Sequence, residues 1–201
     1  MNEIGPGIHH WKAMHPNIRT EVSSYYVEPA ATLVDPLLPP EGIEWFRSRR
    51  QPERIVLTNR HHYRHSDRFQ AEFGCPVLAS EPGLHEFADG REVEGFAFGD
   101  QLAEGITAHE VDAICPDETA LHVTGYGALA CADGVIRSRA GGELEFVPDS
   151  LMDEPEDTKR GLRQAYERLL ELDFDALLLA HGRPIPTGGK AALRKFVADA
   201  A

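Results

Sequence analysis

The sequence predicts an α+β fold, and three features predict it. Short β-type runs broken by Pro, Gly and Asp fill much of residues 18–135, and one strongly amphipathic helical stretch lies over 157–171. Two compact apolar runs, 54–58 and 175–180, each follow a helical segment, as buried strands do when a helix returns the chain to a sheet. At 201 residues the chain fits a single domain over 1–201, or two half-sized lobes sharing one core.

Taken in order, residues 18–27 and 31–34 read as the two strands of a hairpin, separated by the turn signal Glu28-Pro29-Ala30 and ended by Asp35-Pro36. A short helix is expected over 41–49, a buried strand over 54–58 and a helix over 62–73 that Gly74 stops. A short strand follows at 76–79, and Pro82 suits the first turn of a helix ending before Gly90. Between 92 and 135 the pattern is that of a meander, with strands at 106–111, 119–124 and 128–132. In the helix over 157–171, Leu162, Ala165, Tyr166, Leu169 and Leu170 fall on one face. The strand at 175–180, a Gly/Pro loop and a last helix over 190–198 complete the chain, so the second half repeats the first half's progression without a sequence repeat.

Composition narrows the function. With 42% hydrophobic and 26% charged residues, usage is that of an ordinary folded domain and not of a disordered or fibrous chain. No apolar run approaches the ~20 residues needed to span a bilayer and no charged-then-apolar leader opens the chain, so no membrane partner and a cytoplasmic location are expected. Cys75, Cys115 and Cys131 are widely spaced with no CxxC pair, which fits a reducing compartment. This is an acidic protein: a formal net charge of −13 repels a phosphate backbone, and basic clusters such as Arg47, Arg49 and Arg50 are short, so nucleic acid is not expected as the main ligand.

Three strand ends carry groups capable of chemistry. Thr58-Asn59-Arg60-His61-His62-Tyr63-Arg64-His65-Ser66-Asp67 places three of the ten histidines within five positions directly after an apolar strand. Imidazole is a good ligand for zinc or iron, and on a helix His61 and His65 would share a face; a hydrogen-bonded, solvated loop explains the cluster equally well. The second is the run Leu177-Leu178-Leu179-Ala180-His181-Gly182, in which Gly182 lets the chain turn sharply at the imidazole. The third, Ala128-Leu129-Ala130-Cys131-Ala132-Asp133-Gly134, ends in a carboxylate that also reads as a common Asp-Gly turn. Near the N-terminus His9, His10, Trp11 and His15 form a separate aromatic and imidazole patch suited to packing.

The order strand-Asp35, strand-Thr58 with its His-rich loop, strand-Asp133 and strand-His181-Gly182 resembles the metallo-β-lactamase superfamily across nearly the whole chain. That resemblance implies a four-layer αβ/βα sandwich, two mixed β-sheets flanked by helices. It also implies a site in which a His-x-His-x-Asp-His loop, a later His, a bridging Asp and a final His hold one or two metal ions that activate water. Aligned on the strand at 54–58, the four loop positions become Asn59, His61, Tyr63 and Arg64, and the later histidine becomes Ile114. The metal-binding motif is therefore degenerate. The resemblance leaves His61, Asp133 and His181 as metal ligands, with His65 or His62 moving in, and Asp35, Asn59, Tyr63 and Arg64 as substrate or supporting residues.

Two full ligand sets cannot be assembled from these residues, so the expectation is at most one Zn or Fe ion in an atypical hydrolase acting on a small-molecule substrate. The alternative is a metal-free binding or regulatory module in which the Arg64 guanidinium takes the metal's place and pairs with Asp133. A scaffold role, as a homodimer of the kind common in the family, is the third reading.

Overall fold

The computed structural model describes residues 1–137 and 142–199. The first sheet runs β1 (Asn2–Gly5), β2 (Ile8–Met14), β3 (Glu21–Val27), β4 (Thr32–Val34), β5 (Arg54–Val56), β6 (Val77–Ser80) and β7 (Glu94–Phe96), seven strands side by side in chain order. Its first four strands are antiparallel and the pairs from β4 to β7 are parallel, so the sheet is mixed. The second sheet contains β8 (Gln101–Ala103), β9 (Ile106–Glu110), β10 (Thr119–Val123) and β11 (Ala128–Cys131) as the expected meander. A small hairpin of β12 (Ile136–Arg137) and β13 (Leu144–Glu145) follows, and β14 (Ala176–Leu179) returns to pair parallel with β11.

Strand alternation builds the layers. In β5, Val56 faces the space between the sheets, whereas Ile55 and the adjoining Leu57 face outward onto α1 (Glu44–Arg47) and α2 (Ser66–Phe73) with Phe46 and Phe69. In β14, Leu178 enters the central core beside Ala128 and Ala130 of β11 and Val123 of β10. Leu177 and Leu179 face the opposite way, onto Leu162, Tyr166 and Leu169 of α3 (Pro155–Leu169) and Leu193 of α4 (Gly189–Asp199). A strand buried on both faces reads as a continuous apolar run, which is why Leu177-Leu178-Leu179 shows no polar alternation. The result is the expected order helix, sheet, sheet, helix.

Residues 62–73 are not one helix: Arg64 adopts a left-handed φ of 49°, a tight 3-10 turn spans Arg60–His62, and α2 starts only at Ser66. The N-terminal patch of His9, His10 and Trp11 lies on β2, which pairs with β3 over seven residues; His9, His10 and Trp11 are buried there. Trp11 packs on Phe46 and donates its Nε1–H to Leu37 O at 2.8 Å.

Candidate metal centre

Parallel pairing brings the functional strand ends to one edge. In the β11/β14 pair Cys131 stands opposite Leu179, so Asp133 and His181, each two residues further on, leave the sheet at the same height. In the β4/β5 pair Val34 stands opposite Val56, which puts Asp35 beside Leu57 and Thr58. The two sheets are tied at this edge by Thr119 N–H donating to Thr58 O at 2.8 Å and Ser23 N–H donating to Ala180 O at 2.9 Å. Tyr25 Oη also donates to Leu179 O at 2.7 Å. Ligands bind outside the carboxyl ends of parallel strands for this reason: side chains converge there from neighbouring strands.

At that edge one atom of each of His62, Asp133 and His181 lies within 4.8 Å of the others. His62 Nε2 stands 3.2 Å from Asp133 Oδ1, and His181 Nε2 stands 3.0 Å from the same oxygen. Asp133 Oδ1 is buried, and neither contact has hydrogen-bond geometry. Donors at tetrahedral corners about 2.0–2.1 Å from a zinc ion are separated by about 3.3–3.4 Å, so the spacing, the nitrogen and oxygen donors and the orphaned oxygen fit a small divalent cation.

Each donor is held from behind. Asp35, buried at 2% exposure, accepts from Thr58 N–H at 2.8 Å and Thr58 Oγ1–H at 2.5 Å, and its Oδ2 stands 2.9 Å from His62 Nδ1. An ionised carboxylate can only accept, so when His62 gives up its second proton Asp35 keeps the remaining one on Nδ1, and the Nε2 lone pair is the one freed toward Asp133. Asn59 donates from Nδ2 to Asp133 Oδ2 at 2.8 Å while its Oδ1 caps the turn by accepting from His61 N–H at 2.9 Å. His181 precedes Gly182, whose φ of 100° only glycine adopts readily and where a Cβ would meet Arg137 O at 2.5 Å.

Electrostatics at the cluster follow from burial and charge. Burial pushes His62 down, but the carboxylates of Asp133 and Asp35 outweigh it and carry the imidazole up to about 9. Burial pushes Asp133 up; His62 and His181 overcome it and hold the carboxyl well below the usual carboxylate range. Behind Asp133, buried Glu118 accepts from Gly134 N–H at 2.6 Å, and burial with the nearby Asp133 charge pushes its carboxyl up to about 8. Asp117, also buried, accepts from Arg60 N–H at 2.6 Å and pairs with the Arg60 guanidinium, anchoring the loop that carries His62.

Asp35 and Asn59 contact the cluster as described. His61 is exposed and outside it, and the expected sharing of a helical face by His61 and His65 does not occur, because the turn at Arg64 separates them. His65 Nδ1 instead accepts from Leu38 N–H at 3.1 Å. Tyr63 packs on Phe87 beneath the Arg91 guanidinium. Arg64 does not pair with Asp133: its Nη1 donates to Ser23 O at 2.6 Å and Asp35 O at 2.7 Å. Sequence reasoning placed His62 second to His61 and missed Thr58, Asp117 and Glu118. The signal for His62 was Asn59, a strong N-capping residue that starts a turn where an extended strand would have aimed His61 inward.

No protein-family model matches the sequence, nor does any curated protein sequence. Solved structures do match. The DIM-1 metallo-β-lactamase superposes with a TM-score of 0.74 at 12% identity over 99% of this chain and 96% of its own. The protein TTHA1623, crystallised in a di-iron-bound form, gives 0.68 at 19% identity over 90% and 96%. The metallo-β-lactamase family protein TTHA1429 from Thermus thermophilus gives 0.66 at 15% identity over 96% and 79%.

Proposed function

Proceeding from a chain that has the metallo-β-lactamase fold, we propose that it is a metal-dependent hydrolase of a small molecule, with a single zinc or iron ion held by His62, Asp133 and His181. The observation that carries this reading is the convergence of two imidazole Nε2 atoms on Asp133 Oδ1, 3.2 and 3.0 Å away, with that buried oxygen lacking a hydrogen bond. Three protein donors are what a catalytic zinc site uses when one position stays open, and His62, Asp133 and His181 form one such set among the described residues. When bound, the ion would bring the pKa of a water toward about 7 and polarise a carbonyl or phosphoryl oxygen.

The chain's own residues do the positioning. Asp35 keeps the His62 proton on Nδ1, Asn59 holds the second oxygen of Asp133 so that Oδ1 faces the histidines, and Gly182 allows His181 to turn in. A second reading has its own support: a protonated His62 between Asp35 and Asp133 contacts both carboxylates and offsets one of their two charges without an ion, as a metal-free binding module would use.

Elemental analysis of untagged protein, after incubation with zinc, iron and manganese, separates the two. The hydrolase reading expects about one ion per chain, lost in His62→Ala and His181→Ala and kept in His61→Ala. Absence of metal in the wild-type protein selects the binding module.

A further inference from the structure

A groove of about 260 Å³ opens next to the loop that carries His62, and its charges offset one another. Arg60, Arg64, Arg91 and Glu86 line it; Arg60 pairs with Asp117 and Arg91 with Asp89, so three guanidinium groups meet three carboxylates. Two imidazoles on the lining offer donors of fixed direction: His15, in the turn after β2, and His65, just before α2. Backbone amides set the tautomer of both. His15 Nδ1 accepts from Asn17 N–H and Ile18 N–H at 3.3 and 3.5 Å, and His65 Nδ1 accepts from Leu38 N–H at 3.1 Å. Burial pushes both rings below the ordinary histidine range, helped at His65 by Arg68 and at His15 by the charges of Arg64, His62, His65 and His181, so this end of the groove adjoins the metal centre. A neutral imidazole that accepts at Nδ1 carries its proton on Nε2. Neither Nε2 has a hydrogen-bond partner among the described residues, and neither is sealed from solvent, unlike Nε and Nη2 of Arg64. With Nδ1 turned to the backbone, Nε2 is the edge of each ring left to the groove.

We propose that this groove seats an uncharged carbonyl group of the substrate, which accepts hydrogen bonds from His15 Nε2–H and His65 Nε2–H. The charge balance selects a neutral acceptor: no surplus positive charge draws in a carboxylate or phosphate, and Glu86 on the wall repels one. The volume is just under the ~300 Å³ at which small-molecule pockets begin, so it holds one arm of a ligand and not the whole. As a statement about the substrate this rests on the hydrolase reading, and it makes that substrate an ester or amide with a second, uncharged acyl or amide group beyond the bond to be cleaved. Both donors belong to the protein and not to the metal, so the two readings can fail separately.

The test is a long-range ¹H–¹⁵N spectrum of the imidazoles in the full chain, zinc-loaded and after chelation, at about pH 8, where both rings are neutral. The probes are N-acetylglycine methylamide and N-acetylglycine, its anionic counterpart. His15 and His65 are expected as Nε2–H tautomers, and their Nε2 signals should move on adding the methylamide to either form. His15→Phe keeps a ring on the turn and removes the donor; it should weaken methylamide binding, read at His65, about three- to tenfold. An Nδ1–H tautomer at either residue, or Nε2 signals that the methylamide leaves in place, overturns the subsite in the wild-type protein alone, whether or not His15→Phe folds. Unchanged affinity in a folded His15→Phe, or tighter binding of N-acetylglycine at these signals, overturns it as well. Shifts seen only in the zinc-loaded chain put the carbonyl on the metal, which overturns the subsite and supports the hydrolase. Shifts in a chain that takes up no metal uphold the subsite and remove the hydrolase.

Discussion

Replacing Asp35 by Asn tests the support beneath His62 without opening a cavity. The native carboxylate accepts three hydrogen bonds, from Thr58 N–H, Thr58 Oγ1–H and His62 Nδ1–H, at 2.8, 2.5 and 2.9 Å. An amide of the same shape has one accepting oxygen and one donating nitrogen. If its oxygen keeps the Thr58 backbone, its nitrogen faces His62 Nδ1, and the imidazole relieves the donor-donor conflict by moving its proton to Nε2. That proton then points at Asp133 Oδ1 and occupies the lone pair a metal would use. Asn tolerates the left-handed φ of 48° at this position, so the backbone is not the cause of any effect. Trading charge-assisted for neutral hydrogen bonds costs about 1–3 kcal/mol of stability, while zinc affinity falls about 10- to 100-fold. Competition against a chromophoric chelator measures the affinity and urea unfolding the stability. Glu28→Gln, which alters the 2.7 Å His9–Glu28 contact away from the cluster, is the control. A folded Asp35→Asn protein whose zinc Kd stays within about threefold of wild type would refute the role of Asp35.

Gly134→Ala is expected to destabilise the protein by about 1–3 kcal/mol in urea unfolding, because the new Cβ would stand 2.4 Å from Leu162 Cδ2, 2.6 Å from Tyr166 Oη and 2.8 Å from Glu118 Oε1, all buried; a loss below about 0.5 kcal/mol contradicts that packing. Burial, with Lys12 nearby, pushes His10 down from 6.5 to about 4. The unfolded chain therefore takes up this proton first, and the stability His10 contributes is complete above pH 6.5 and lost as pH falls toward 4, up to about 3 kcal/mol. His10→Gln should flatten the urea-midpoint profile across that window, and an unchanged slope rejects the assignment. Cys75 and Cys131 are buried, and burial pushes all three thiols up, so a disulfide-exchange reagent should titrate less than one thiol in the native protein and all three after denaturation; rapid native reaction of two or more would mean that this core opens readily.

The layered fold was legible because its strands announce themselves by composition. Residues 54–58 and 175–180 are apolar through their centres, as strands buried on both faces must be, and each leads into a polar group, Thr58 or His181, at the sheet edge. Asp133 and His181 could be paired because a polar residue after a buried strand is where a site is built. β2 was hidden because it carries His9 and His10, buried on opposite faces of the strand where they bond Glu28 and Ser23, contacts that no local pattern announces. His62 was hidden for a related reason. Which of two adjacent histidines turns inward depends on the cap at Asn59, the left-handed turn at Arg64 and the carboxylate of Asp35, 27 residues away in sequence. Spacing within a motif assumes a backbone path, and here the path differs.

Anomalous diffraction at the zinc edge, from crystals of the full chain grown with zinc, tests the His62–Asp133–His181 centre itself. One peak per chain is expected, bonded to His62 Nε2, Asp133 and His181 Nε2, with His61 in solvent. A peak on His61 or His65, two peaks at the cluster, or none at full zinc loading would contradict it.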